Sequence, residues 1–251
     1  MTSIPAPRRT RTIPDLAILA TVAALFAAIL VRATLGFGTA LVAMPLLAMT
    51  VGVRVATPLV GLVVLTNVAM LLARTWRSVD VRVAWRLLLS SAVGIPVGVL
   101  TVRFAPEQAV KAILGVLLIA FGLYSFAHLT PPHLKRQGWL YVFGFTSGVL
   151  GGAYNTNAPP VVAYGALHGW PAERFQATLQ GYFLPTAVLI CAGHALGGLW
   201  THSVFGLYLA ALPFAVLAIF LGRRLSNHIP AATYQHLLYG ALIVLGLLLL
   251  W

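Results

Sequence analysis

The sequence predicts an all-α polytopic membrane protein made of two homologous halves, each holding a glycine- and proline-broken or re-entrant helix pair followed by about three transmembrane helices. Three observations predict it. Of the 251 residues, 60% are hydrophobic and only 8% charged, with a mean hydropathy of +0.95, whereas a soluble domain carries roughly a quarter charged residues. Apolar windows of about 20 residues, the length that crosses roughly 30 Å of hydrocarbon as a helix, follow one another with short polar joints between them. The pattern of breaks and spans then starts a second time near the middle of the chain.

Taken in order, residues 1–14 read as a disordered tail carrying Arg8, Arg9 and Arg11. The first half covers residues 15–127. It opens with an apolar segment at 15–32, then Thr34-Leu35-Gly36-Phe37-Gly38-Thr39, then a short apolar piece at 40–50 containing Pro45. That second piece makes only about 16 Å of helix, half a bilayer, so two helices meet at a glycine break, either as a broken crossing or as a re-entrant hairpin. Spans follow at 56–73, 84–103 and 109–127, the second carrying Gly94 and Gly98 around Pro96 as a close-packing groove with a proline kink.

A joint at 128–137 with Pro131, Pro132, Lys135 and Arg136 separates the second half, residues 138–251, which completes one membrane domain. Gly144, Gly148 and Gly152 fall four apart on one helix, and Gly151-Gly152-Ala153-Tyr154-Asn155-Thr156-Asn157-Ala158-Pro159-Pro160 forms the second break. A short apolar piece ends near Trp170, and spans follow at 174–198, 204–222 and 232–250. Sliding the chain over itself by 115 residues aligns Leu35, Gly36, Ala43, Pro45 and Ala48 with Leu150, Gly151, Ala158, Pro160 and Ala163. Five identities in fourteen positions exceed the one or two that a chain so rich in Ala, Gly and Leu gives by chance at roughly this length.

The arginines distinguish two arrangements of the halves. Arg74, Arg77, Arg82 and Arg86 place the joint between the first two full spans in the cytoplasm, while its counterpart, Trp200-Thr201-His202-Ser203, has no Lys or Arg. Conversely, Arg223 and Arg224 correspond to the modestly charged joint around Arg103, and this exchange favours inverted repeats. It also puts Arg8, Arg9 and Arg11 outside, and a parallel arrangement of eight spans is the alternative.

Composition and position narrow the chemistry. The net charge of +12 is spread singly or in small groups between apolar spans, where lipid head groups and cytoplasmic loops want it, not gathered for nucleic acid. Cys191 is the one cysteine and sits in an apolar span, so no disulfide or cysteine metal site forms within the chain, and no cofactor or metal is expected. Asp15, Asp80, Glu107 and Glu173 are the four carboxylates, all at span ends or in joints, so no negative group waits mid-membrane for an organic cation.

What the interior offers is N–H groups at glycine breaks, the positive ends of half-helices, and the side chains of Thr39, Asn67, Tyr154, Asn155, Thr156, Asn157 and Gln180. Pro159 and Pro160 suit the first turn of a helix, where a missing N–H has no partner to lose. Paired breaks in matching places of two halves are where a transporter binds its substrate, and a small anion between two half-helix N-termini is the ligand these groups fit. Arg174 lies either at the interface or on the anion's path. His168, His194 and His202 are second-half groups able to take up protons near neutral pH, with close packing the expected role of His194 between Gly193 and Gly197.

Leu35-Gly36-Phe37-Gly38 followed by Pro45, the run from Gly151 to Pro160, and later Trp170, Arg174, Ala177 and Thr178 resemble the TauE/SafE sulfite-exporter family over nearly the whole chain. The resemblance implies a duplicated bacterial inner-membrane protein that moves sulfite, sulfonates or related small anions. Its glycine-rich turns and prolines map onto Gly36, Gly38 and Pro45 in the first half and onto Gly151, Gly152, Pro159 and Pro160 in the second, and its second-half arginine onto Arg174 or Gln176. With Phe37 of the first motif and the interior side chains of Thr39, Asn67, Tyr154, Asn155, Thr156, Asn157 and Gln180 named above, these make up the expected substrate site. The chain departs from the family pattern at Ala158 and across Val55-Ala56-Thr57-Pro58-Leu59.

The expectation is therefore a secondary transporter working by alternating access in the cytoplasmic membrane, not an enzyme, with Gly36, Gly38, Gly151 and Gly152 as the backbone turns. An anion channel with the same pore is the near alternative. An intramembrane serine protease with Ser147 and His194 as a dyad is the distant one. The bilayer and a small anion are the expected partners, and a homodimer is left open.

Overall fold

The computed structural model describes residues 15–35, 38–75, 81–127, 138–170, 172–226 and 231–251. The tail at 1–14, Gly36 and Phe37 of the first break, the arginine-bearing joint at 76–80 and the joint at 128–137 lie outside the described residues. The described chain forms ten helices and no strand. They are α1 (Asp15–Leu35), α2 (Thr39–Thr50), α3 (Val53–Thr75), α4 (Val81–Phe104) and α5 (Glu107–Phe126), then α6 (Trp139–Tyr154), α7 (Ala158–Leu167), α8 (Ala172–Leu196), α9 (His202–Ser226) and α10 (Ala231–Leu250).

Stretches of α3, α4, α5 and α9, namely Val53–Met70, Ala84–Phe104, Glu107–Phe126 and His202–Gly222, are long and apolar enough to cross a membrane. Shorter apolar stretches lie in α1, α2, α7, α8 and α10. The protein is a multi-pass membrane protein, and the spans expected from hydropathy match these helices to within a few residues.

The two half-helices behave as their lengths demand. With 12 residues in α2 and 10 in α7, each extends about 15–18 Å, half the hydrocarbon. In the second half the chain folds back. The rings of Phe143, near the start of α6, and Tyr164, near the end of α7, are 5.7 Å apart, whereas helices continuing along one axis would hold them roughly 30 Å apart. The α6–α7 break is thus a helical hairpin with its tip at residues 155–157. In the first half α2 packs against α1, and Leu25, Ala28 and Ile29 share a buried cluster with residues of α2.

The closest helix contact is between α4 and α6, and glycines make it possible. A Cβ on Gly98 would sit 2.1 Å from the Val149 carbonyl oxygen, one on Gly94 2.2 Å from that of Phe145, and one on Gly148 2.2 Å from that of Ser91. The backbones therefore touch where side chains normally intervene, the arrangement small residues four apart permit in lipid. Pro96 lies on the exposed side of a helix that runs through it. Other packing pairs are α1 with α9, α5 with α10, α3 with α8 and α9, and α4 with α8.

Glu107 has a structural task. Its carboxylate accepts from the Val53 N–H at 3.3 Å, capping α3, and pairs with Lys111 at 3.2 Å.

Because backbone atoms surround the α4–α6 glycines, Gly98→Val and Gly148→Val should each cost more than about 3 kcal/mol, overpacking with no flexible side chain to yield. Gly206→Ala, where nothing lies within 4 Å of the added carbon, should be nearly neutral. Thermal unfolding of purified protein in detergent reads the difference.

Candidate functional site

The second break is built from the carbonyl end of α6. A helix leaves its last four carbonyls without intrahelical donors, and here that end is buried, as are all residues from Gly151 through Ala158. Asn155, the one described non-glycine residue with positive φ (55°), stops the helix. Its N–H donates to the Gly151 carbonyl at 2.8 Å, and the Thr156 N–H reaches back to Leu150 at 3.2 Å. The Gly152 carbonyl accepts from His194 Nε2 of α8 at 2.8 Å. That of Ala153 accepts from the Thr57 hydroxyl of α3 at 3.0 Å, and that of Tyr154 from the Thr156 hydroxyl at 3.1 Å. All four are satisfied.

Further bonds lock the tip in place. The Asn155 side-chain amide donates to the Thr57 carbonyl at 2.7 Å, so Thr57 both gives and receives across the α3–α6 contact. The Tyr182 hydroxyl of α8 meets Ser147 of α6 at 2.6 Å and Ser91 of α4 at 2.7 Å. Ser147 in turn donates to the Asn157 carbonyl at the start of α7. Because His194 Nε2 faces a carbonyl, it carries the proton. Nδ1 then presents a buried lone pair without a partner among the described residues, next to Gly61. Ser147 and His194, the residues of the possible protease dyad, are therefore bonded to different groups.

The N–H end of α7 is treated differently. No side chain caps it. Of the four N-terminal residues whose N–H groups lack intrahelical acceptors, Pro159 and Pro160 have no N–H, leaving those of Asn157 and Ala158. In the first half, α2 begins after Gly38, whose φ of 104° is a left-handed conformation that glycine adopts without strain, and it too has no side-chain cap.

Both starts open onto one cavity of about 30 Å³, lined by Gly38, Thr39 and Ala40 of the first half, Asn155 through Pro159 of the second, and walls from α3 and α8. A single water needs about 10–15 Å³ on this scale, so the space suits a ligand the size of a small inorganic anion. The Thr39 hydroxyl is buried with no partner among the described residues. Arg32, half-buried in the last turn of α1, lines the same cavity, and among the described residues no carboxylate does. Two positive helix ends, a guanidinium and a free hydroxyl thus meet with no negative charge between them.

Of the residues singled out in the sequence, Gly38, Thr39, Asn155, Thr156, Asn157 and Pro159 come together here. Others do different work. Gly151 and Gly152 are helical and allow close packing, against Ile190 and Asn157 and against Ile95, and the backbone turn expected at these glycines falls at Asn155, in a left-handed conformation. Pro45 is buried within α2. The Tyr154 hydroxyl donates to the Val110 carbonyl at 2.9 Å, and Tyr154 and Pro160 line a second cavity. Asn67 is buried next to Val68 and about one turn after Val64, both of the cavity wall, with neither side-chain atom paired among the described residues. Gly36 and Phe37, and the side chains of Arg174 and Gln180, lie outside the described residues.

Sequence reasoning did not single out Arg32, Thr57 or Tyr182, and it expected close packing, proton uptake or a place in the protease alternative from His194, not a bond to a helix-end carbonyl. For Arg32 the available signal was a cation two residues ahead of the glycine break. For Thr57 it was a Thr-Pro pair inside an apolar span.

Comparison with known proteins adds to the geometry. Residues 20–249 match the family model described as "Sulfite exporter TauE/SafE". A curated relative from Cupriavidus necator, described as a probable sulfite/organosulfonate exporter TauE, is 27% identical over 223 residues, covering 84% of this chain and 85% of that protein. No solved structure matches the chain.

The two roles of Asn155 are separable. Asn155→Gly keeps the left-handed turn but loses the bond to Thr57, and should cost about 1–3 kcal/mol. Asn155→Val forfeits both and should cost at least about 1 kcal/mol more, since a β-branched residue resists positive φ. The order of melting temperatures, wild type above Gly above Val, is the check.

Proposed function

Because the chain belongs to the sulfite exporter TauE/SafE family, we propose that it is a secondary transporter that carries a small anion, sulfite or a sulfonate, across the cytoplasmic membrane by alternating access. The observation that carries this reading is the single cavity onto which the uncapped starts of α2 and α7 and the Arg32 side chain all open. The substrate's oxygens accept from the Asn157 and Ala158 N–H groups, the first-turn N–H groups of α2 and the Thr39 hydroxyl, while Arg32 balances its charge. Such donors are already oriented, so binding requires little reorganisation.

We further propose that the halves are inverted repeats, α1–α5 corresponding to α6–α10. The packing supports a twofold relation: α4 meets α6 while α1 meets α9, and α5 meets α10 while α3 meets α8. Each contact is its own counterpart or has one. The exchange of arginines between equivalent joints supplies the inversion. The two re-entrant tips would then approach the midplane from opposite sides, and rocking one half against the other would open the cavity to each face in turn.

Hydrogen bonds to charged groups contribute about 1.5–3 kcal/mol, so Arg32→Gln should reduce flux of labelled sulfite or methanesulfonate in proteoliposomes by about 10- to 100-fold. Asn157→Leu should also impair flux while the protein remains folded. Wild-type flux in both would exclude this cavity as the site. Counterflow, uptake of labelled anion driven by unlabelled anion inside, is expected of a carrier and not of a channel. For the repeat orientation, Ser78→Cys and Thr201→Cys in a Cys191→Ala background should be labelled by an impermeant maleimide from opposite sides of the membrane; labelling from one side would establish parallel repeats.

A further inference from the structure

A second cavity, of about 290 Å³, lies between α5, α6 and α7, close to the lower limit of pockets that hold organic ligands. Its walls are apolar: Leu114, Leu117, Leu118 and Phe121 from α5, Phe143 and Leu150 from α6, and Ala163 from α7. The hydroxyls in the wall are committed elsewhere. Tyr154 donates to the Val110 carbonyl at 2.9 Å, Thr156 to that of Tyr154 at 3.1 Å and Thr146 to that of Val142 at 2.8 Å. Tyr154 therefore shows this cavity its ring and Thr156 its methyl group, and the phenol of Tyr124 stands at an exposed mouth beside Ala120 and Val142.

This cavity adjoins the polar one. Leu41, Thr156 and Pro159 line both. We propose that one substrate molecule occupies both spaces, its anionic head between the starts of α2 and α7 and an alkyl tail in the α5–α6–α7 cavity. The site is thereby selective for alkanesulfonates with tails of several carbons over inorganic sulfite. This inference rests on the anion-site reading above and adds to it the part of the substrate that sets selectivity.

The test measures binding to the full-length protein in lipid nanodiscs, with empty nanodiscs subtracted, using sulfite and then methane-, butane- and hexanesulfonate. Affinity should rise about fourfold per methylene from methane- to hexanesulfonate, the equivalent of ~0.8 kcal/mol for each CH2 removed from water. Leu117→Trp fills the cavity and touches none of the anion-binding groups, so it should abolish that rise while leaving methanesulfonate affinity unchanged. Ala120→Phe at the exposed mouth, where folding is not at stake, should flatten the rise between butane- and hexanesulfonate.

Equal affinity for every chain length in the wild type would overturn the proposal and is the result expected if a lipid acyl chain fills the cavity. A full rise retained in both variants would also overturn it by putting the tail elsewhere. Loss of binding for sulfite and methanesulfonate alike would instead strike the anion site itself, and this inference with it.

Discussion

A helix that ends inside a membrane exposes four carbonyls to a medium that cannot hydrate them, and the structure around residue 155 is organised by that constraint. Each of the last four carbonyls of α6 has a donor, from the backbone of Asn155, the imidazole of His194 on α8, the hydroxyl of Thr57 on α3 and the hydroxyl of Thr156. Two of those donors come from other helices, and α3 belongs to the other half of the chain. The hairpin tip is thus tied to α3 and α8, and the glycine contact with α4 fixes α6 behind it. The opposite end of the break is left open. Prolines remove two of the N–H groups at the start of α7 and no side chain caps the others. A closed acceptor end beside an open donor end is the contrast on which the proposed anion site rests.

The same contrast gives the site its sign without a dedicated set of charged residues. Glu107, the carboxylate whose side chain is described, is occupied in capping α3 and pairing with Lys111, and Arg32 is the cation that reaches the cavity. On the proposed reading the attraction comes mainly from backbone groups and helix ends, which leaves the side chains at the tip to serve the fold. Asn155 and Thr156 spend their polar atoms on Thr57 and Tyr154. Selectivity between anions then falls to the size of the polar cavity and to what adjoins it.

Much of this was legible in the sequence because it is local. Hydropathy marked the spans to within a few residues. The short apolar pieces after two glycine breaks marked α2 and α7, and Gly94, Gly98, Gly144 and Gly148 announced the close contact by their spacing. The run from Asn155 to Pro159 was found as polar groups where none should be. What was not legible is non-local. Asn155 and Thr57 are 98 residues apart in the chain, and no periodicity says which helix of one half supplies the donor for a carbonyl of the other. Arg32 looked like the end of a span because its role depends on α1 and the second-half tip meeting in space. Gly151 and Gly152 were read as turn-formers when close packing on α4 and α8 required them, a distinction visible only once the neighbours are placed.

The central claim is that an anion sits between the starts of α2 and α7. Selenite has the shape and charge of sulfite and carries a heavy atom that scatters anomalously, so crystals of the protein grown with selenite and measured at the selenium edge test it directly. The account predicts one strong anomalous peak within hydrogen-bonding reach of the Thr39 hydroxyl, the Asn157 and Ala158 N–H groups and the Arg32 guanidinium. A peak elsewhere in the membrane interior, with this cavity empty, would contradict it.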